Sequence, residues 1–529
     1  MNAATNDVIV VGAGPIGLTH ALILADAGFS VLVLERATQP GDLPRAISLV
    51  DESLRVMADL GIAEPLKSES LLDTGSRYFG LNGRLLASAK PMPSRIGQPA
   101  KSQFDQPVME QLLFDRALEH SNIDFKLGHE VTGLSQSVRG VTVEATDSHG
   151  ANVSFAAEWL VGADGGKSTV RKLANIPLVG STQPQRWIVI DLLGETAKRD
   201  PFAEFHCDGK RPYVLVPGVK GRLRIEFMLF DREDADEMTR PEMIRNLVKP
   251  FRPQLDDADV RRAAVYVAHQ RIAKHYRVNR LFLIGDAAHL MPPFAGQGLN
   301  AGIRDAQNLA WKLIEALRGR ATEQLLDSYE VERHTHGAKM VKVSRRVGRV
   351  VMATGTVVPR LRDTVVRGLC LIPKVRDFLS GMKFITPPVY TEAGAATATS
   401  ALPALAEVIG RSLSQPRVQT TDGEEMPLDT VLGTGWSLIE IAGRSARTAP
   451  LNAGWEAFGV RHVVIAAGRR PAANGSGSID LVDLDGSLSK LSGERSRFLL
   501  IRPDKYVYGA FEQTDEVAIL AKLRELVSF

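Results

Sequence analysis

Three short stretches of this 529-residue chain carry residue types at spacings that suit one kind of ligand. Residues 8–17 read VIVVGAGPIG, so Gly12, Gly14 and Gly17 form a GxGxxG pattern directly after an apolar run. The first glycine permits a tight turn, the second lets backbone approach phosphate oxygens, and the third allows close helix–strand packing. A helix starting at Pro15 would add N–H donors and a partial positive charge, and proline suits a first helical turn. Glu35 closes the next apolar run, with Arg36 beside it; a carboxylate there accepts hydrogen bonds from adenosine ribose hydroxyls. Residues 161–171 read VGADGGKSTVR, and residues 283–300 read LIGDAAHLMPPFAGQGLN. Asp286 stands at the C-terminal end of a buried run, the edge at which α/β sheets bind ligands, and a ribityl hydroxyl is its expected partner. The turn over 292–300, holding Pro293, Gly296, Gly298, Leu299 and Asn300, leads into a long helix whose N-terminal dipole would stabilise negative charge on a reduced flavin. Taken alone, Asp164 reads as a turn residue and Ser168 as a simple N-cap. Taken in order, the three stretches point to one bound FAD, and therefore to redox chemistry.

The elements that must position these residues follow from apolar periodicity. Residues 7–12 and 31–34 read as parallel strands buried on both faces, joined by a helix over 15–28, which makes a βαβ unit. Helices are expected over 51–60 and 106–120, and an antiparallel excursion over 140–161. Residues 187–193, 213–216 and 223–230 read as members of one sheet, with a helix over 241–248. A buried strand at 281–284 precedes helix over 298–318 and again from 323 to about 379. Residues 386–403 lack apolar periodicity and are rich in Ala, Thr and Pro, as a linker would be. Beyond them, strands over 436–442, 462–467, 479–484, 498–501 and 506–510 and a helix over 515–527 describe a small separate α/β domain.

Composition bounds the class. The chain is too long for one ordinary domain. Its 44% hydrophobic and 24% charged residues can support a large core. The net charge of +3 (64 basic against 61 acidic residues) gives no sign of a nucleic-acid partner. The two cysteines, Cys207 and Cys370, form no CxxC pair, so neither a disulfide framework nor a cysteine metal site is expected, and no metal ligands are assigned. No apolar run reaches the roughly 18 residues of a membrane span, and the N-terminus lacks a basic region; a cytoplasmic protein is expected.

With the GxGxxG, DG and GD elements in this order, the chain resembles the single-component FAD-dependent aromatic hydroxylases, the group A flavoprotein monooxygenases. Arg45 in PRAISL, Gln106, Asp286 and the segment LLDSYEVERH (325–334) match that family's pattern. Within it, RPYVLVPG, RLRIEFML and PPFAGQGLNAGIRDAQNLAWKL look most like 3-(3-hydroxyphenyl)propionate hydroxylases and related phenol and resorcinol hydroxylases. The similarity covers roughly residues 7–385, and the tail resembles the thioredoxin-like C-terminal domain of the larger members, without CxxC. The resemblance implies an α/β fold: a Rossmann-like FAD-binding domain (1–184, resumed at 276–385 with a helical segment), an inserted, mainly antiparallel β-sheet substrate domain (185–275), a linker (386–404) and the thioredoxin-like domain (405–529). It implies that NADH or NADPH reduces the FAD, that O2 adds at flavin C4a, and that the hydroperoxide delivers oxygen to a phenolic or hydroxylated heteroaromatic ring. No second nucleotide fingerprint is present, since GTGWSL at 433–438 lacks the third glycine, so the nicotinamide would dock transiently.

Such a reaction needs a group to help remove the phenol proton and a site that keeps water out. Tyr213, His206 and His269 are candidates, although each reads more simply as an ordinary sheet residue. Arg224 or Arg211 would pair with a substrate carboxylate, against the plainer reading of cross-strand charge. Pro293 is expected beside the reactive face of the flavin, for position and not for chemistry. An epoxidase or Baeyer–Villiger-type oxygenase acting on a polyketide would use the same scaffold. A non-catalytic binding protein on the nucleotide fold, like the GDP-dissociation inhibitors, has no need of the 293–300 turn. The apolar stretch around 365–372 and the tail are compatible with a homodimer.

Overall fold

The computed structural model describes residues 6–391, 403–443, 450–466 and 478–528. The chain divides into two compact units. The first comprises Met1–Pro93, Pro99–Ala306 and Gly337–Thr386, and the second Ser94–Gln98, Gln307–His336 and Pro387–Phe529.

The first unit is built on two sheets. One has the order Arg277–Val278, Leu281–Leu283, Asn152–Gly162, Asn6–Val11, Val31–Glu35, Ile123–Leu127, and every pairing along it after the first, antiparallel one is parallel. Val8, Ile9, Val10, Val31, Val33 and Leu34 are fully buried, as expected for parallel strands covered on both faces. The first connection is the helix Pro15–Asp26, with proline in its first turn. The Glu130–Gln136 and Val141–Thr146 strands form the expected antiparallel excursion on Asn152–Gly162.

The other sheet is almost wholly antiparallel and runs, in order, through His289–Leu290, Val260–Ala273, Leu178–Leu192, Leu223–Leu229, Tyr213–Pro217, Phe202–His206, Gly75–Phe79 and Leu85–Ala89. It therefore recruits strands from 75–89, outside the 185–275 stretch read as the substrate domain. Gly75–Phe79 joins by a parallel pairing with Phe202–His206, a long-range match that no local periodicity announces. One face of this sheet packs Leu215, Ile225 and Phe227, with Tyr213, against Ile244 and Val248 of the helix Pro241–Val248. The opposite face carries Trp187, Phe205, Val214, Val216 and Met228, packed with Phe294 and Val351.

The second unit holds a seven-stranded mixed sheet, order Glu425–Pro427, Arg417–Thr420, Ile479–Asp483, Arg461–Ala466, Ser437–Ile441, Arg497–Ile501, Val507–Glu512, closed by the helix Glu516–Leu526. The linker expected over 386–404 falls mostly on residues outside those described, and so does the end of the strand expected over 462–467. No helix among the described residues is long and apolar enough to cross a membrane.

Candidate active site

A cavity of about 580 Å³ lies in the first unit, and Gly14, Asp164, Asp286 and Gly298 all line it. The three sequence motifs therefore meet in one place. Its volume falls within the usual span for small-molecule and cofactor sites.

One end is the C-terminal edge of the parallel sheet. Gly12 has φ +109°, and a Cβ there would stand 2.6 Å from the carbonyl oxygen of Ala163, so only glycine lets the two loops pass. A Cβ on Gly17 would run into the carbonyl oxygen of Gly12; Gly17 serves packing and does not line the cavity. Gly14 differs from both. Its φ of −75° is open to any residue, and a Cβ there would meet nothing within 4 Å; Gly298 likewise has open space around it. Protein sterics do not require glycine at either position, so a ligand in the cavity is what these two glycines make room for. The helix behind Gly14 has no side-chain cap and no acidic residue in its first turn, which leaves its N–H groups free for an anion.

Glu35 lines the cavity while its carboxylate accepts from Ala13 N at 2.9 Å and Ala37 N at 2.8 Å, which fixes its orientation. Asp164 caps a helix through Oδ2, which accepts from Thr169 N (2.7 Å) and Val170 N (3.1 Å); its buried Oδ1 has no partner. Ser168 is also an N-cap, accepting from Arg171 N at 2.9 Å, so the plain and the functional readings of that loop both hold. Asp286 is exposed to the cavity yet enclosed by protein, and this burial raises its carboxyl pKa against the lowering influence of His289 and Arg45. Sequence reasoning missed its brace: the buried carboxylate of Asp305 accepts from Gly285 N (3.0 Å) and bonds His289 Nε2 (2.6 Å). Arg36, Arg45 and Gln106 line the cavity as well; Gln106 Oε1 accepts from Ala46 N at 2.6 Å and holds the 39–48 loop.

Pro293, Gly296, Gly298 and Leu299 line the cavity as expected, but Asn300 does not. Its amide is spent on protein. Oδ1 accepts from Val50 N (3.0 Å) and Ser53 Oγ (2.7 Å), and Nδ2 donates to Ser48 O (3.0 Å) and Gly296 O (2.8 Å). Asn300 is a clamp on the turn.

The other end of the cavity is walled by the antiparallel sheet, and here the sequence-based choices need correction. Tyr213, His206 and His269 do not line it. Tyr213 stacks on His206 at 4.2 Å between ring centroids, on the sheet face turned to the Pro241–Val248 helix. Their neighbours Val214 and Phe205 line the cavity instead, because alternate residues of a strand face opposite sides. His269 Nδ1 is paired with Thr182 Oγ1 at 2.9 Å on the next strand. Arg211 bonds Met228 O and Glu233, away from the cavity. Arg224 does reach the wall, but Asp191 holds it by two bonds (2.6 and 3.0 Å), and it donates to the carbonyls of Pro44 and Arg45. It pins a loop and has little left for a substrate carboxylate.

The groups found there were not foreseen. Tyr78 stacks on Phe205 at 4.9 Å, and burial raises its phenol pKa. Glu226 accepts from Tyr266 OH at 2.6 Å, and burial raises its pKa more than Arg224 and Tyr266 lower it. Lys101 and Gln103 project from the short Lys101–Gln103 strand, with Met291, Phe294, Met382, Phe384 and Ile385 completing an apolar lining.

Residues 5–344 match the family model described as FAD binding domain, and residues 410–526 match the HcaD C-terminal domain. The chain is 35% identical to a 3-(3-hydroxy-phenyl)propionate/3-hydroxycinnamic acid hydroxylase of Mycolicibacterium smegmatis, over 95% of this chain and 90% of the relative. Among solved structures it is similar to the anhydrotetracycline hydroxylase OxyS of Streptomyces rimosus (27% identity, TM-score 0.75, 99% of both chains). The flavin-dependent monooxygenase PieE, solved with FAD and substrate, shares the fold at 21% identity with a TM-score of 0.82 over 99% of both chains. The open space at Gly14 and Gly298, the uncapped helix start and the partnerless Asp164 oxygen fit FAD, and the chain belongs to the family of FAD-dependent aromatic hydroxylases, the flavoprotein monooxygenases.

Proposed function

We propose that the protein uses NADH or NADPH and O2 to hydroxylate a phenolic or hydroxylated heteroaromatic ring. The observation that carries this reading is the shared cavity, in which Gly14, Asp286 and Gly298 stand with Phe205, Val214, Val216 and Phe294. FAD, when bound, supplies the electron transfer from nicotinamide and the activation of O2. The free N–H groups at the Pro15 helix start take its pyrophosphate, Glu35 takes the adenosine ribose, Arg36 and Arg45 offset phosphate charge, and Asp286 takes the ribityl chain. The start of the Gly298–Leu317 helix lines the cavity and would offer its dipole to negative charge on the bound flavin. The nicotinamide docks transiently, in keeping with the single GxGxxG.

At the sheet wall the apolar side chains exclude water from the reacting ring. Glu226 lines this wall and takes the phenol proton in this reading; burial raises its pKa, which makes it a stronger base than an exposed carboxylate. Tyr78 stays protonated and remains a hydrogen-bond donor. The M. smegmatis relative is named for 3-(3-hydroxyphenyl)propionate and 3-hydroxycinnamic acid, so these head a panel extended to simple phenols, resorcinols and hydroxyquinolines. The test is NADH and NADPH oxidation by the holoenzyme with each compound, with mass analysis of products formed under 18O2. Stimulated oxidation with labelled oxygen on the ring is expected. Labelled lactone or epoxide, or hydrogen peroxide alone across the panel, would overturn ring hydroxylation.

A further inference from the structure

The Lys101–Gln103 strand presents to the cavity a buried amide that the protein leaves unpartnered and an ammonium that it pairs only with a hydroxyl. Residues two apart on a strand share a face, and both Lys101 and Gln103 line the cavity, with Ser102 between them turned away. Gln103 is 2% exposed, and neither its Nε2 nor its Oε1 has a hydrogen-bond partner. A buried amide left unmet loses its hydrogen bonds to water with nothing in return, so a native fold keeps one where something else completes it. Lys101 Nζ donates to Ser76 Oγ at 2.9 Å, and no carboxylate among the described residues pairs with it. The other cation on this wall, Arg224, is taken up by Asp191 and two backbone carbonyls. The antiparallel partner of this strand, Ser48–Val50, sets Ser48 opposite Gln103, and Ser48 abuts Gly296 of the turn before the Gly298 helix.

We propose that Lys101 and Gln103 are the specificity-determining pair for the aromatic substrate, binding an anionic substituent, a carboxylate carried on the phenolic ring. The inference rests on the ring-hydroxylase reading and narrows it to aryl carboxylates. One carboxylate oxygen takes the ammonium and the other takes the Gln103 N–H, while the ring lies on the apolar side chains. Burial lowers the Lys101 pKa to about 8, which leaves it mostly charged at neutral pH. Gln103 Oε1 then meets a donor on the substrate or an ordered water.

Three ligands matched in their ring test this: 3-(3-hydroxyphenyl)propionate, its primary amide and 3-ethylphenol. Their binding to FAD-loaded protein is read from the flavin difference spectrum, together with kcat and KM for each. Wild type should bind the carboxylate most tightly. Lys101→Met should raise the Kd and KM of the carboxylate on the order of 10- to 100-fold, with less than about threefold change for the amide and ethylphenol and a nearly constant kcat. Lys101→Arg should restore most of the preference. Gln103→Leu should weaken carboxylate and amide together and spare ethylphenol. Equal losses for all three ligands in Lys101→Met, or none, would overturn the proposal; if that variant does not yield holoenzyme, the Arg and Leu substitutions decide it by the same pattern. Wild type that binds none of the phenols would instead sink the hydroxylase reading, an outcome distinguishable because it appears before any substitution.

Discussion

At the scale of single residues, the cavity separates groups by whether the protein has already satisfied them. Arg224 and Asn300 look functional by type, yet their polar atoms are consumed by Asp191, backbone carbonyls and Ser53. Lys101 has one hydroxyl partner, and its titration gives a sharp expectation. Burial brings its pKa from the ordinary lysine value of 10.5 down to about 8, so the ammonium is present below that pH and lost above it. The groups that share its wall are Ser76 and Tyr78 on one strand, Gln103 on its own, and Arg224 and Glu226 on a third. Tyr78 stays neutral through this range, since burial raises its pKa. The affinity for a carboxylate-bearing phenol should therefore fall as pH passes about 8, while that for its neutral amide stays level until the phenol itself ionises. The Lys101→Arg variant should show no such fall. Titrating Kd against pH for the two ligands checks this, and parallel curves would count against it. These residues were hidden in the sequence for a simple reason. Tyr213 and Val214 are equally plausible wall residues until strand parity is fixed, and parity depends on pairing with Leu223–Leu229.

At the scale of elements, legibility was better, because a turn that forces φ > 0 or a close backbone approach restricts residue type locally. Gly12 and Gly17 are such positions, and the strand–turn–helix around them was readable from residues 7–28 alone. Gly14 was readable for a different reason, and substitution should separate the two. Gly17→Ala drives a methyl into the Gly12 carbonyl, so the turn must open and the protein should lose both flavin and thermal stability. Gly14→Ala meets only open space at an unstrained φ. The apoprotein should melt within a degree or two of wild type, yet bind FAD on the order of tenfold more weakly, since the methyl occupies phosphate territory. Apoprotein melting curves and FAD titration by fluorescence quenching measure both. The 293–300 turn has its own clamp. Asn300→Ala removes four hydrogen bonds that tie Gly296 and the helix start to Ser48, Val50 and Ser53. It should cost about 2–4 kcal/mol of stability at roughly 0.5–1 kcal/mol per bond, and raise the share of NAD(P)H oxidation that ends in peroxide, measured as product formed per nicotinamide consumed.

At the scale of the whole molecule, each unit depends on residues that sequence spacing cannot relate. The cavity is lined from Val11 to Ile385, and the second unit is held by a buried charge cluster spread over almost 200 positions. Arg502 is bonded to Glu332 through Nη1 (2.7 Å) and Nη2 (3.0 Å) and to Asp504 at 2.6 Å, Lys312 reaches Glu332 at 3.0 Å, and Trp311 Nε1 donates to Asp504 at 3.1 Å. Nothing in LLDSYEVERH or in IRPDKY marks these residues as partners, since the code for such a cluster lies in the fold and not in either segment. Removing one member strands the others: Glu332→Gln leaves Arg502 and Lys312 with one carboxylate between them, Asp504, at a site where all these side chains are buried. The cost should be about 3–5 kcal/mol, as for other broken buried pairs. The acid limb carries the same signature. Burial would raise the Glu332 pKa, but the charges of Arg502 and Lys312 outweigh it and hold it at about 2, against an ordinary 4.5. A depressed carboxyl contributes stability that is complete above its unfolded value and drains away as pH falls through the folded one. Wild type should accordingly lose stability between about pH 5 and pH 2 more steeply than Glu332→Gln, which starts lower and has no carboxylate there to protonate. Denaturant melts at a series of acid pH values would show the two stabilities converging; curves that stay parallel to pH 2 would mean that the Glu332 carboxyl takes up its proton at the same pH folded and unfolded, and that its ion pairs do not hold this unit together.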